Sequence, residues 1–185
     1  MRKLIYAINL TLDGCFDHTK MIGDEAMLEY WTEVLRKTDL LIYGRITYEL
    51  MVPYWPDIAK NPSSKTKAEI DFAQAFDSTN KIVFSRTLQR ADGKNTRVVR
   101  TDLQDEILKL KQEEGKDMLV GGVALPSQLI ALGLVDGLLF VVHPIIAGEG
   151  RRLLEGIDLQ ERLQLRLVES KILKSGCVSL HYLKQ

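Results

Sequence analysis

Between Asp117 and Ile130 a short apolar run, Met118 to Val120, ends in the pair Gly121-Gly122, and a helical pattern starts at once with Val123, Ala124 and Leu125. A strand that stops at two glycines and turns into a helix leaves backbone N–H groups aimed at one spot, with no Cβ in the way of a ligand. Such a turn suits the holding of a phosphate. Two other strand ends carry related chemistry. Gly44 allows close backbone approach, Arg45 adds a cation, and Thr47 adds a hydroxyl and first-turn amides; the same residues also read as a strand stop followed by a helix start. Ser85-Arg86 suits a terminal phosphate monoester, because a guanidinium forks onto phosphate oxygens while a hydroxyl adds one directed hydrogen bond. Its plainer reading is a solvated turn.

The glycine pair is not the G-x-G-x-x-G fingerprint, and the acid that a ribose 2′-hydroxyl would need about 20 positions further on is not in place; Asp136 is nearer and opens a strand. A phosphorylated 2′ position repels an acid and attracts arginine, so Arg45 and Arg86 favour NADPH over NADH. On the opposite wall Asn9, Asp13, Gly14, Trp31, Tyr48, Tyr54 and Trp55 are candidates to line a flat pocket, with aromatic faces stacking on a heterocycle. Core packing competes for Trp31 and Tyr48. In Thr11-Leu12-Asp13-Gly14 the Asp13 carboxylate either orients substrate and relays a proton or makes an Asx-type turn. The loop Pro144 to Arg152 is glycine-rich and ends in two arginines that either meet a substrate phosphate or face water.

These residues need elements to position them. Residues 2–10 read as a buried strand, Glu25 to Lys37 as an amphipathic helix, Leu40 to Tyr43 as a strand and Ile46 to Met51 as a short helix. Pro53, Pro56 and Pro62 then punctuate a loop in which no regular element is expected to persist. Lys65 to Phe76 reads as helix, Lys81 to Phe84 and Arg97 to Arg100 as strands, and Leu103 to Glu113 as a helix capped by Asp102. Met118 to Val120, a helix from about Val123 to Leu132, and Leu138 to Val142 continue the alternation. Leu163, Leu165 and Leu167, then Val178, Leu180 and Tyr182 around Ser175-Gly176, predict an antiparallel hairpin at a sheet edge. The expected architecture is a three-layer α/β/α sandwich on a mainly parallel sheet, formed as one domain over residues 1–185.

Composition narrows the partners. The 185 residues carry 25 basic and 25 acidic side chains, so no global field draws the chain to nucleic acid or an anionic membrane. Cys15 and Cys177 are too few for a disulfide framework, and with His18, His143 and His181 scattered no metal site is expected. Ser127 lacks a nucleophile-elbow sequence. No apolar run reaches the ~18 residues of a membrane span and nothing at the start reads as a signal peptide, so a reduced cytoplasmic location is expected.

The order of these signals resembles the dihydrofolate-reductase-like superfamily, and more closely its branch related to the C-terminal reductase domain of the bifunctional riboflavin-biosynthesis deaminase-reductase. The likeness rests on Thr11-Leu12-Asp13-Gly14, Gly44-Arg45-Ile46-Thr47-Tyr48-Glu49, Val83-Phe84-Ser85-Arg86, Gly121-Gly122, Leu134-Val135-Asp136 and Pro144 to Gly150, and it spans nearly the whole chain. It implies an NADPH-binding fold in which Arg45, Thr47, Ser85 and Arg86 hold adenosine phosphates and Gly121 to Leu125 take the pyrophosphate. It also implies a cis Gly121–Gly122 bond and a homodimer. The zinc signature of the deaminase half is missing, as is a W-x-x-P-x-D/E segment for a pterin acid. The expected activity is therefore hydride transfer from NADPH to a C=N or C=O bond of a small heterocyclic or sugar-derived substrate. The alternatives are a nucleotide-binding protein without catalysis and a dihydrofolate reductase proper.

Overall fold

The computed structural model describes every residue except Ile22, Lys94, Asp158, Gln160 and Glu161. Eight strands form one sheet: β1 (Leu4–Thr11), β2 (Leu40–Gly44), β3 (Asn80–Phe84), β4 (Thr96–Val99), β5 (Met118–Val120), β6 (Gly137–His143), β7 (Leu165–Ile172) and β8 (Val178–Lys184). Their order is β4-β3-β2-β5-β1-β6-β8-β7. The first six run parallel, and the β7–β8 hairpin joins β6 in antiparallel register.

Side-chain alternation along the strands sorts the core into two layers. Leu4, Tyr6, Leu40, Ile42, Met118 and Val120 pack against α5 (Leu103–Gln112) and α6 (Ala124–Ala131) through Ile107, Leu110, Leu125 and Leu129. Ile5, Leu41, Tyr43, Val83 and Leu119 face the other way, against α1 (Glu25–Arg36), α2 (Arg45–Met51) and α4 (Lys67–Ser78) through Leu35, Tyr48, Phe72 and Phe76. The chain moves outward toward β4 over the α1 face and returns over the α5 face, as a single crossover hand requires. β5 returns into the gap between β2 and β1, which makes the carboxyl ends of these strands the point where the winding reverses.

The predicted loop after Met51 is replaced by a helix, α3 (Tyr54–Lys60). Pro53 is its cap and Pro56 sits in its first turn, where a missing N–H breaks no intrahelical bond. The other elements lie within a few residues of expectation. The hairpin turns at Gly176 with φ +82°, and β7 carries a register shift between Leu167 and Glu169. No helix among the described residues is long and apolar enough to cross a membrane.

Candidate functional site

The parallel strands end on one rim, and the helices that begin there differ in how their first turns are satisfied. Asp24, Thr66 and Asp102 accept first-turn amides and cap α1, α4 and α5. α6 starts after Val123 with no side-chain acceptor, so its leading N–H groups remain available to a ligand. The turn that delivers them is fixed by its surroundings. Gly121 N–H donates to Ile42 O at 3.1 Å, and the buried Tyr6 hydroxyl donates to Gly122 O at 2.8 Å. Gly122 has φ +90°, and a Cβ there would overlap Thr47 Oγ1; one on Gly121 would come 2.8 Å from the Tyr43 ring. Both positions therefore demand glycine. Peptide bonds are trans throughout the described residues, so the expected cis link at Gly121–Gly122 is corrected: the positive φ of Gly122 makes the turn instead.

Beside this turn lies a cavity of about 780 Å³. It is bounded by Gly44 at the end of β2, Ser85 and Arg86 after β3, Arg100 and Thr101 after β4, and Ala124, Leu125 and Gln128 of α6. Three sequence signals that lie far apart along the chain thus meet around one space. Ser85 Oγ accepts from the amides of Thr87 and Leu88 at 3.3 and 3.0 Å, which shapes the turn and leaves its own proton to donate. Arg86 is exposed and has no side-chain partner among the described residues, whereas Arg100 is committed to the carbonyls of Leu88 and Gln89 at 2.6 and 3.1 Å. Arg45 stands differently: it pairs with Glu49 at 2.8 Å and does not line the cavity. Thr47 reaches the site through its contact with Gly122.

On the α1 face of the sheet, at the same rim, Asn9 Oδ1 accepts from Trp31 Nε1 at 2.9 Å. Strand register puts Asn9, Thr11 and His143 on this one face. His143 is buried; its Nδ1 lies 3.5 Å from Cys177 Sγ, its Nε2 has no partner among the described residues, and burial holds its pKa below the usual imidazole value against the pull of Asp24. Asp13 is saturated. Its carboxylate accepts from Thr11 Oγ1 at 2.6 Å, Ala147 N at 3.0 Å, Gly148 N at 3.1 Å and Arg152 Nη2 at 3.1 Å. The Thr11 hydroxyl and the Ala147 amide above all hold it well below the ordinary carboxylate range, so at neutral pH it has no proton to relay. What it does is tie the turn after β1 to the loop after β6.

Two proposed pocket aromatics are instead occupied in packing. The Tyr48 hydroxyl donates to Asp92 O at 3.0 Å and accepts from Asp92 N at 2.7 Å, and its ring is buried. Trp55 packs edge-on against Phe72, with centroids 4.5 Å apart. Asp136 lies at the opposite end of the sheet, at the start of β6, where Lys111 neutralises it at 2.7 Å. Of the paired arginines, Arg152 holds Asp13 and Arg151 lies 5.0 Å over the Phe16 ring. Sequence reading passed over Arg100, Thr101 and Gln128; the strand-end rule that picked Ser85 applies equally after β4 and would have found the first two.

Residues 2–179 match the model of the RibD C-terminal domain. The chain is 32% identical over 185 residues to the uncharacterized protein YyaP of Bacillus subtilis (strain 168), covering 98% of this chain and 94% of that protein. Among solved structures it is similar to a putative riboflavin biosynthesis protein of Shewanella sp. PV-4, with a TM-score of 0.71, 17% identity and 99% of each chain covered. It is also similar to a diaminohydroxyphosphoribosylaminopyrimidine deaminase/5-amino-6-(5-phosphoribosylamino)uracil reductase of Thermotoga maritima (TM-score 0.68, 17% identity), where all of this chain matches 57% of that one. A pyrimidine reductase-like protein of Corynebacterium diphtheriae gives a TM-score of 0.61 at 14% identity, with 100% and 92% covered. At these identities the structural likeness establishes the fold.

Proposed function

The chain belongs to the family of the RibD C-terminal domain, and from that premise together with the rim cavity we propose that it is an NADPH-dependent reductase acting on a C=N or C=O bond of a small heterocyclic or sugar-derived molecule. The carrying observation is the meeting of Gly44, Ser85, Arg86, Ala124 and Leu125 around one cavity beside an uncapped helix start. These residues fit a dinucleotide phosphate. The amides of Ala124 and Leu125 would take the diphosphate, with Gly121 and Gly122 keeping the approach clear, and Ser85 with Arg86 would take the 2′-phosphate.

Bound NADPH would supply the hydride. The protein's part is positioning and exclusion of water. Tyr6 holds the Gly122 carbonyl, Trp31 fixes the Asn9 amide on the substrate side, and Asp13 braces the Ala147-Gly148 loop as a wall. In this reading Asp13 shapes the wall and transfers no proton. Its lack of a transferable proton also supports a second reading, a nucleotide-binding protein that performs no reduction.

Titrating NADPH by calorimetry, then screening pterin, carbonyl and ribosylaminopyrimidine acceptors for loss of nicotinamide absorbance, tests both. Binding with turnover supports the reductase. Binding without oxidation by any acceptor supports the second reading, and absence of binding removes both.

A further inference from the structure

β5 stops short of its neighbours, and the rim has a notch there. Its last residue, Val120, pairs with Tyr6 of β1 and Ile42 of β2, whereas β1 runs on to Thr11 and β2 to Gly44. At about 3.3 Å per residue, β1 rises above β5 by roughly 16 Å. Gly121-Gly122 forms the floor, where no side chain takes up the space. Apolar side chains stand in the open on both flanks. Leu12, just past β1, is 63% exposed and Ile146, past β6, is 73% exposed; the Leu12 amide donates to Ile145 O at 2.8 Å and holds the two segments together. On the β2 flank Ile46, in the first turn of α2 beside Thr47, is 75% exposed.

The cations of these flanking segments are already matched. Arg152 donates to the Asp13 carboxylate at 3.1 Å and to Asp13 O at 2.9 Å. Lys20 pairs with Glu149, Arg45 with Glu49, and Arg151 lies over the Phe16 ring. Lys174 belongs to the β7–β8 turn, two strands further out than β1. A phosphate ester entering the notch would have to draw a guanidinium or an ammonium off its carboxylate, and would then meet that carboxylate as a like charge. Ser85 and Arg86, on the far side of β2, offer the opposite: a hydroxyl, and a guanidinium with no side-chain partner among the described residues. The rim has an electrically open side and a closed one.

We propose that the acceptor is a flat heterocycle without a phosphate ester, taken into the notch between Leu12 and Ile146 on one flank and Ile46 on the other. The proposal rests on the reductase reading and narrows it: the coenzyme alone brings phosphate to the rim. An exposed isoleucine is stabilised only by an apolar surface that covers it, and the face or edge of a ring supplies one where a phosphate does not. A substrate that needs no cation also leaves the Asp13–Arg152 and Lys20–Glu149 pairs in place, so the two loops stay braced while it binds.

Calorimetry on the chain, alone and saturated with the oxidised coenzyme, tests this with two matched pairs of probes: dihydroneopterin and a ribosylaminopyrimidine, each with and without its phosphate ester. In at least one pair the unphosphorylated member should bind about 10-fold more tightly than its phosphate, or better. Ile46→Ser and Ile146→Ser should each weaken that binding by about 5-fold. Leu108→Ser, at an exposed position of α5 away from the notch, should leave it unchanged. All three side chains are exposed, so circular dichroism should remain native. A phosphate that binds as well as its partner or better overturns the proposal. So does binding of neither member in both pairs, or an affinity indifferent to Ile46→Ser and Ile146→Ser. The reductase reading fails separately: a probe that binds with this selectivity but is never reduced by NADPH removes that reading and leaves the selectivity of the notch standing.

Discussion

The hydroxyl of Tyr6, buried at the centre of the sheet, donates to the carbonyl oxygen of Gly122 at 2.8 Å and so anchors the turn that opens α6. Tyr6→Phe leaves that carbonyl without its donor while keeping the ring packed edge-on against Phe140. The expected result is a stability loss of about 1 kcal/mol and a fall in NADPH affinity of about 5-fold. Denaturant titration and calorimetry on the same preparation check it; unchanged affinity would separate the turn from cofactor binding.

Gly122→Ala should be far more damaging. The residue has φ +90°, and its new methyl group would collide with Thr47 Oγ1. A loss of about 1–3 kcal/mol from the backbone alone is expected, together with loss of measurable cofactor binding. Adding Thr47→Ala removes the collision but not the strain, so thermal melts should show partial recovery only.

Arg86→Ala should raise the NADPH dissociation constant by about 10-fold and leave that for NADH unchanged, because only the phosphorylated ribose presents a charge for the guanidinium to fork onto. Arg45→Ala should affect the two coenzymes alike, since Arg45 is engaged with Glu49 away from the cavity lining. Parallel titrations with both coenzymes decide the matter.

Asp13 gives a pH signature. Its folded-state pKa lies below the unfolded value near 4, so the carboxylate's stabilisation is present above that value and is lost as pH falls through the folded one. The wild-type melting temperature should drop steeply with acid. That of Asp13→Asn should start lower at neutral pH and fall less, so that the two profiles converge; parallel profiles would refute the bracing role.

β1, β2, β5 and β6 are legible in the sequence as short apolar runs, because a strand covered on both faces has no polar side to show. The glycine pair was plain because only glycine satisfies its two close approaches. α3 was hidden, since three prolines read as interruption and nothing local says that one of them falls in a first turn. Tyr48 and Trp55 read as pocket walls because an aromatic ring looks the same in a pocket and in a core; contacts with Asp92 and Phe72, distant in sequence, decide between them. Nothing local to Asp136 shows that it stands just before β6, at the end of the sheet opposite the rim. The strand order that settles this is set by long-range pairing, which has no local signature.

That order bears on how the molecule is made. Met118 to Val120 must slide between two strands that precede it by more than 70 residues, and until it does, nothing joins β1 to β2. A nascent chain emerging from the ribosome therefore carries a split sheet with two raw inner edges through most of its synthesis, a state prone to wrong pairing. Any truncation ahead of Met118 freezes it there.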